Sequence, residues 1–176
     1  VTARPLEPYR PPNLVIGVTL LVVAEMMFFA GLISAYLVAR AHADGWPPIG
    51  QPRLPIQNTA FNTLILLLSA YTIKLCLREQ SRFRLLETCV LGLTFVLLQG
   101  REWLALLGHG LTLRSGPYGA YFYTLVGAHA IHVLAGLLAL GWIYAHYKPL
   151  YARAGSIYWA FVVALWPILY ILVYLL

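Results

Sequence analysis

Charged side chains are scarce in this sequence. Asp, Glu, Lys and Arg supply 10% of its 176 residues, against about a quarter in soluble domains, so an ordinary soluble domain is excluded. Cysteine is nearly absent too. Cys76 and Cys89 sit in apolar sequence with no CxxC or Cys/His spacing, and they read as buried thiols. A glycine-rich nucleotide loop, a serine nucleophile elbow and the HExxH zinc motif are all missing, which leaves a catalytic centre on the chain itself without a motif to carry it. Basic residues outnumber acidic ones by twelve to six. They are dispersed at the ends of apolar runs, however, so the net charge of +6 is not a nucleic-acid footprint.

Hydrophobic residues fill the space that charge leaves. They make up 61% of the chain, with a mean hydropathy of +0.76. Five apolar runs stand out, at Leu14–Ala39, Thr59–Leu77, Leu85–Leu107, Tyr121–Tyr147 and Ile157–Leu176. Each approaches or exceeds the roughly 20 residues that cross a bilayer as a helix. The alternating pattern of a transmembrane barrel is absent, and backbone groups in lipid must be paired within the segment. The expected fold is therefore an all-α, multi-pass integral membrane protein, a single domain (1–176) of five transmembrane helices.

Eight basic residues (Arg4, Arg10, Lys74, Arg78, Arg82, Arg84, Lys148 and Arg153) flank one side, and four (Arg40, Arg53, Arg101 and Arg114) flank the other. That bias predicts an inside N-terminus and an outside C-terminus. Lys74, Arg78, Arg82 and Arg84 read as orientation and contact with anionic headgroups. Residues 1–13 hold four prolines and two arginines and no apolar signal-peptide core, and the chain opens at Val1, so an initiator or presequence is expected to have been removed or to lie outside it. The connection Ala41–Asn58 is proline-rich and is expected to form an ordered outer loop. A second outer loop, around Arg114–Gly119, carries dense turn chemistry.

Glu25 is a lone carboxylate in the middle of the first run. A helix over Leu14–Ala39 rises about 39 Å, against a hydrocarbon core of about 30 Å. Glu25 then lies near the midplane, where an ionised side chain costs roughly 3 kcal/mol or more. It is expected to be protonated, partnered within the protein, or both; the alternative is a neutral acid serving packing only. Gly17, Ala24 and Gly31 recur every seven residues on the same helix, a small-residue stripe that permits a close helix contact and is bordered by Glu25.

In the fourth run Ala128, His132, Ala135 and Ala139 share a face, with His129 and Gly136 beside it. Both histidines are expected to point at neighbouring helices. Their i,i+3 spacing would suit one metal ion; the alternative is a hydrogen bond from each to a helix or a lipid headgroup. No histidine at matching depth pairs with either for haem ligation. Gln99, Glu102 and Trp103 lie in the outer third of the third run, where Glu102 could contact the outer loops or a partner subunit; the alternative is a solvated carboxylate that anchors a loop. Pro167 predicts a kink in the fifth run, and Tyr170 and Tyr174 an interfacial aromatic belt.

Several segments resemble subunit III of the haem–copper terminal oxidases, the cytochrome c oxidase family. Ala24-Glu25-Met26-Met27-Phe28-Phe29-Ala30-Gly31 is similar to that family's Ser-Glu-Val-x-Phe-Phe-x-Gly. Trp46-Pro47-Pro48 and Phe61-Asn62-Thr63 resemble its Trp-Pro-Pro and Leu-Asn-Thr elements. Further matches are Leu98–Trp103, Ser115–Gly119 and Ala128–Val133. The usual family form has seven helices, and this chain resembles the five-helix form that lacks the first two. One departure is in the last helix, where Tyr-Trp-His-Phe-Val-Asp becomes Tyr158-Trp159-Ala160-Phe161-Val162-Val163.

The resemblance implies a non-catalytic subunit of a respiratory complex that reduces oxygen and pumps protons. Haem and copper are then expected on partner subunits and none on this chain. It would pack on oxidase subunit I beside other respiratory-complex subunits, hold phospholipid between its helices and sustain turnover, in the bacterial cytoplasmic membrane or an equivalent one. Membrane lipid is an expected partner and nucleic acid is not. Glu25 would correspond to the family's carbodiimide-reactive carboxylate, and His129 and His132 to its helix histidines. Alternatives are an accessory subunit of a quinol oxidase or nitric oxide reductase of the same superfamily, or a stand-alone membrane cytochrome.

Overall fold

Five helices run the length of the computed structural model, which describes residues 12–48, 50–52 and 54–176. The leading proline-rich segment with Arg4 and Arg10, and Arg53 of the long loop, lie outside the described residues. The elements are α1 (Asn13–Ala41), α2 (Ile56–Glu79), α3 (Arg82–Gly108), α4 (Pro117–Ala145) and α5 (Pro149–Tyr170), the last continuing into a π-helical turn, Ile171–Leu175. All five are long and apolar enough to cross a membrane, and no strand occurs among the described residues.

Pro117 and Pro149 open α4 and α5, where a missing N–H costs nothing and the fixed φ already suits a helix. That preference starts α5 eight residues ahead of its apolar run. Pro167 lies inside α5, and the helix continues past it before loosening into the π turn.

The α2–α3 and α4–α5 pairs are antiparallel hairpins with short connections, Gln80–Ser81 and 146–148, at one end of the bundle. The long connections 42–55 and 109–116 lie at the other, the long-loop end. α5 packs against α1, α2 and α4, and α3 packs against α2 and α4. As a result 44% of the apolar core of α5 is buried, against 11% for α1, which stands at the edge of the bundle.

Trp159 of α5 is the centre of this arrangement and is fully buried. Its ring occupies a slot that only glycine leaves open. A Cβ on Gly92 of α3 would lie 2.7 Å from Trp159 Cη2, and one on Gly136 of α4 would lie 3.0 Å from Cε3. Its indole Nε1 donates to Ser69 Oγ of α2 at 3.0 Å. One side chain thus joins four helices.

The small-residue stripe on α1 does not pack within the bundle. Gly17, Ala24 and Gly31 are exposed, and a Cβ on Gly17 or Gly31 would meet nothing within 4 Å. The inward face is carried by Glu25, Phe29 and Tyr36, about 100° round the helix from Ala24. Tyr174 is not part of an aromatic belt either; it is buried in the bundle.

Candidate functional site

Glu25 and His132 meet between α1 and α4. His132 Nε2 lies 2.9 Å from Glu25 Oε2, and the two side chains retain only 16% and 25% of their exposure. The ring is held from its other side, where Nδ1 lies 2.7 Å from the Ala128 carbonyl oxygen. Phe28 stacks over the imidazole and Phe29 meets it edge-on. The carboxylate expected from the sequence to be protonated, partnered within the protein, or both has a partner on α4, a helix the sequence did not single out for it.

His129 points elsewhere, although it is only three residues away. It is buried at 1% exposure and stacks on Trp166 of α5 with ring centroids 5.1 Å apart. Neither of its ring nitrogens has a hydrogen-bond partner within the chain. The two imidazoles do not converge on a common point, and both nitrogens of His132 are already engaged. They do not fit a shared metal ion, and among the described residues no three His, Cys, Asp or Glu side chains form a metal-binding group.

A second polar cluster lies between α2 and α3 near the long-loop end. Glu102 Oε2 lies 2.9 Å from Thr59 Oγ1, and Glu102 Oε1 accepts from Asn62 Nδ2 at 3.3 Å. Gln99 Nε2 donates to Glu102 Oε2 at 3.3 Å and to Tyr174 Oη at 3.1 Å. Glu102 therefore contacts α2. Sequence reasoning gave Gln99 and Glu102 but not their partners.

The partners belong to a polar stripe along α2 made of Thr59, Asn62, Thr63, Ser69 and Thr72. Thr63 Oγ1 accepts from Trp166 Nε1 at 2.9 Å, and Thr72 meets Thr88 of α3 at 2.8 Å. The signal was in the sequence, since these residues recur on one helical face of an apolar run, where polar side chains bond across helices. Cys76 and Cys89 are free thiols, the first buried and the second half-buried. Of the basic cluster at the short-turn end, Arg84 bonds Glu79 and Glu87 at 2.9 and 3.0 Å. Arg82 lies over the Tyr144 ring at 4.4 Å.

Five membrane-length helices tied together by interior hydrogen bonds define a multi-pass integral membrane protein. The chain matches the family model described as cytochrome c oxidase subunit III over residues 11–176. It is 35% identical to the probable cytochrome c oxidase subunit 3 of Mycobacterium leprae, over 99% of this chain and 93% of that protein. Similar relatives are the cytochrome c oxidase subunit 3 proteins of Synechocystis (32%, covering 95% and 77%) and Corynebacterium diphtheriae (33%, covering 94% and 89%). The chain belongs to the cytochrome c oxidase subunit III family, and its five helices fit that family's short form.

Proposed function

We propose that this chain is the non-catalytic third subunit of a respiratory haem–copper oxidase in a bacterial cytoplasmic membrane, with its N-terminus inside. In that role it packs on subunit I, which carries redox groups with the other core subunits, and it supports sustained turnover. The observation that carries the reading is the Glu25–His132 pair. In this reading Glu25 is the family's intramembrane acid, and it is held by His132 of a neighbouring helix in the same chain.

Phospholipid binding is part of the proposal. A groove of about 580 Å³ separates α1 from α4 and α5 toward the short-turn end. Leu14, Val18 and Leu21 form one wall, and the small residues Ala135, Ala139 and Ala154 leave the room opposite. Its walls are almost wholly apolar, which suits an acyl chain.

Affinity purification through a tag on this chain tests the proposal. The expected result is a coloured complex that consumes oxygen, with a Soret band that is lost when this chain is separated from its partners. A Soret band retained by the separated chain would establish a stand-alone cytochrome and overturn the proposal.

A further inference from the structure

Thr59 has one hydroxyl hydrogen and two acceptors within reach. Its Oγ1 lies 2.8 Å from the Pro55 carbonyl oxygen and 2.9 Å from Glu102 Oε2. A backbone carbonyl can only accept, and an ionised carboxylate can only accept. With Glu102 ionised, the hydroxyl serves one of them and the other short contact holds no hydrogen. With Glu102 protonated, both contacts are hydrogen bonds, as Oε2–H donates to Thr59 Oγ1 and Thr59 donates to Pro55.

The rest of the cluster agrees with a neutral acid. The amide contacts from Asn62 and Gln99 are long, at 3.3 Å each, whereas bonds to an ionised acceptor are typically shorter. Among the described residues no Lys, Arg or His nitrogen lies within ion-pair distance of Glu102. Thr59, Asn62 and Gln99 are all buried.

The carboxyl is not sealed off. It borders a cavity of about 240 Å³ at the long-loop end, lined also by Pro52, Pro55, Asn58, Arg101 and His109. We propose that Glu102, Thr59 and the Pro55 carbonyl form a proton-binding site that exchanges with water through this cavity. On uptake, a proton from water adds to Glu102 Oε2 and the Thr59 hydroxyl turns to Pro55. On release, the proton returns to water and the hydroxyl turns back to the carboxylate. No other bond forms or breaks.

The groups that face the carboxyl set its surroundings. They are Arg101 of α3, at the adjacent position, and His109 just past the end of that helix, whose Nδ1 lies 2.6 Å from the Ala105 carbonyl oxygen. The described residues of α2 present only the neutral Asn58, Thr59 and Asn62. Tyr174, beyond α5, is bonded to Gln99 and also faces the Thr59 hydroxyl and the Glu102 carboxyl, with Tyr118 of α4 behind it. The site thus couples proton occupancy to the hydrogen bond at Pro55, where the proline-rich loop enters α2.

Infrared difference spectroscopy of the intact complex, with the buffer pH stepped, tests this. The expected wild-type spectrum contains a protonated-carboxyl C=O band that is lost in Glu102→Gln and retained in Glu25→Gln. The band should move in Thr59→Val, where the acid has lost its hydroxyl acceptor, and return in Thr59→Ser. A spectrum unchanged by Glu102→Gln overturns the proposal, as does a band indifferent to Thr59→Val. If Glu102→Gln does not assemble, Glu102→Asp draws the carboxyl back from Thr59. A moved band then supports the site and an unmoved one overturns it.

Discussion

Glu25 Oε2 and His132 Nε2, 2.9 Å apart, tie α1 to α4. The Ala128 carbonyl 2.7 Å from His132 Nδ1 can only accept, which fixes the hydrogen on Nδ1. The proton between Nε2 and Oε2, 2.9 Å apart, then belongs either to a neutral acid or to an imidazolium facing a carboxylate. The pair is net neutral both ways, and this is how α1 carries a carboxyl at mid-span without an uncompensated charge in the bilayer.

Glu25→Gln is therefore expected to be tolerated, because the amide N–H can donate to Nε2 and keep the pair neutral. Glu25→Leu strands Nε2 in a half-buried site and should cost about 1–3 kcal/mol. Thermal denaturation of the purified complex checks this, with His132→Leu expected to resemble Glu25→Leu. Equal melting of the Gln and Leu variants would contradict a hydrogen bond between Glu25 and His132 that contributes to stability.

The slot around Trp159 gives a contrast between glycines. Gly92→Ala puts a methyl 2.7 Å from Trp159 Cη2 and 2.8 Å from Leu137 Cδ2, an overpacking that typically costs 1–3 kcal/mol. Gly31→Leu should leave the fold of this chain undisturbed, since that surface of α1 meets nothing within the bundle. Circular-dichroism melting of the subunit in detergent measures both. If Gly31→Leu weakens the assembled complex alone, the exposed face of α1 contacts another chain.

How legible these features were depended on which kind of signal carried them. Span number and the need of Glu25 for a partner followed from polarity against a hydrocarbon solvent, and that rule is strict. The heptad of Gly17, Ala24 and Gly31 permits a close contact without naming the helix that makes it; within this chain the inward face follows Glu25 and the aromatic Phe29 and Tyr36. The Trp159 slot was hidden because it needs Gly92 and Gly136 from two different helices at one depth, a coincidence that no local pattern records. Thr59, Asn62 and Thr63 were legible as a stripe but not as a site, since their partners on α3 and α5 are set by packing.

Trp166 and Thr63 test the stripe. Thr63 Oγ1 donates to the Thr59 carbonyl at 2.7 Å while accepting from the Trp166 indole. Thr63→Val keeps the shape and removes the acceptor. Interhelical hydrogen bonds in membrane proteins average about 0.6 kcal/mol and reach about 1.7. A double-mutant cycle with Trp166→Phe should return a coupling energy in that range. A coupling of zero would reduce the stripe to incidental contacts.

The groove beside α1 makes the last prediction, on lipid retention. Ala139 faces the groove and is exposed to it, so Ala139→Phe places an aromatic ring where the proposed acyl chain lies and leaves the Trp159 slot alone. Each methylene displaced from apolar contact forfeits about 0.8 kcal/mol, so losing even two or three would weaken retention more than tenfold. Quantifying phospholipid in the purified complex should show less of it bound in Ala139→Phe, with a faster loss of oxygen consumption during sustained turnover. Val23→Phe, on an exposed part of α1 away from the groove lining, controls for bulk at the lipid surface and should change neither. Equal lipid content in wild type and Ala139→Phe would place the bound lipid elsewhere on the molecule.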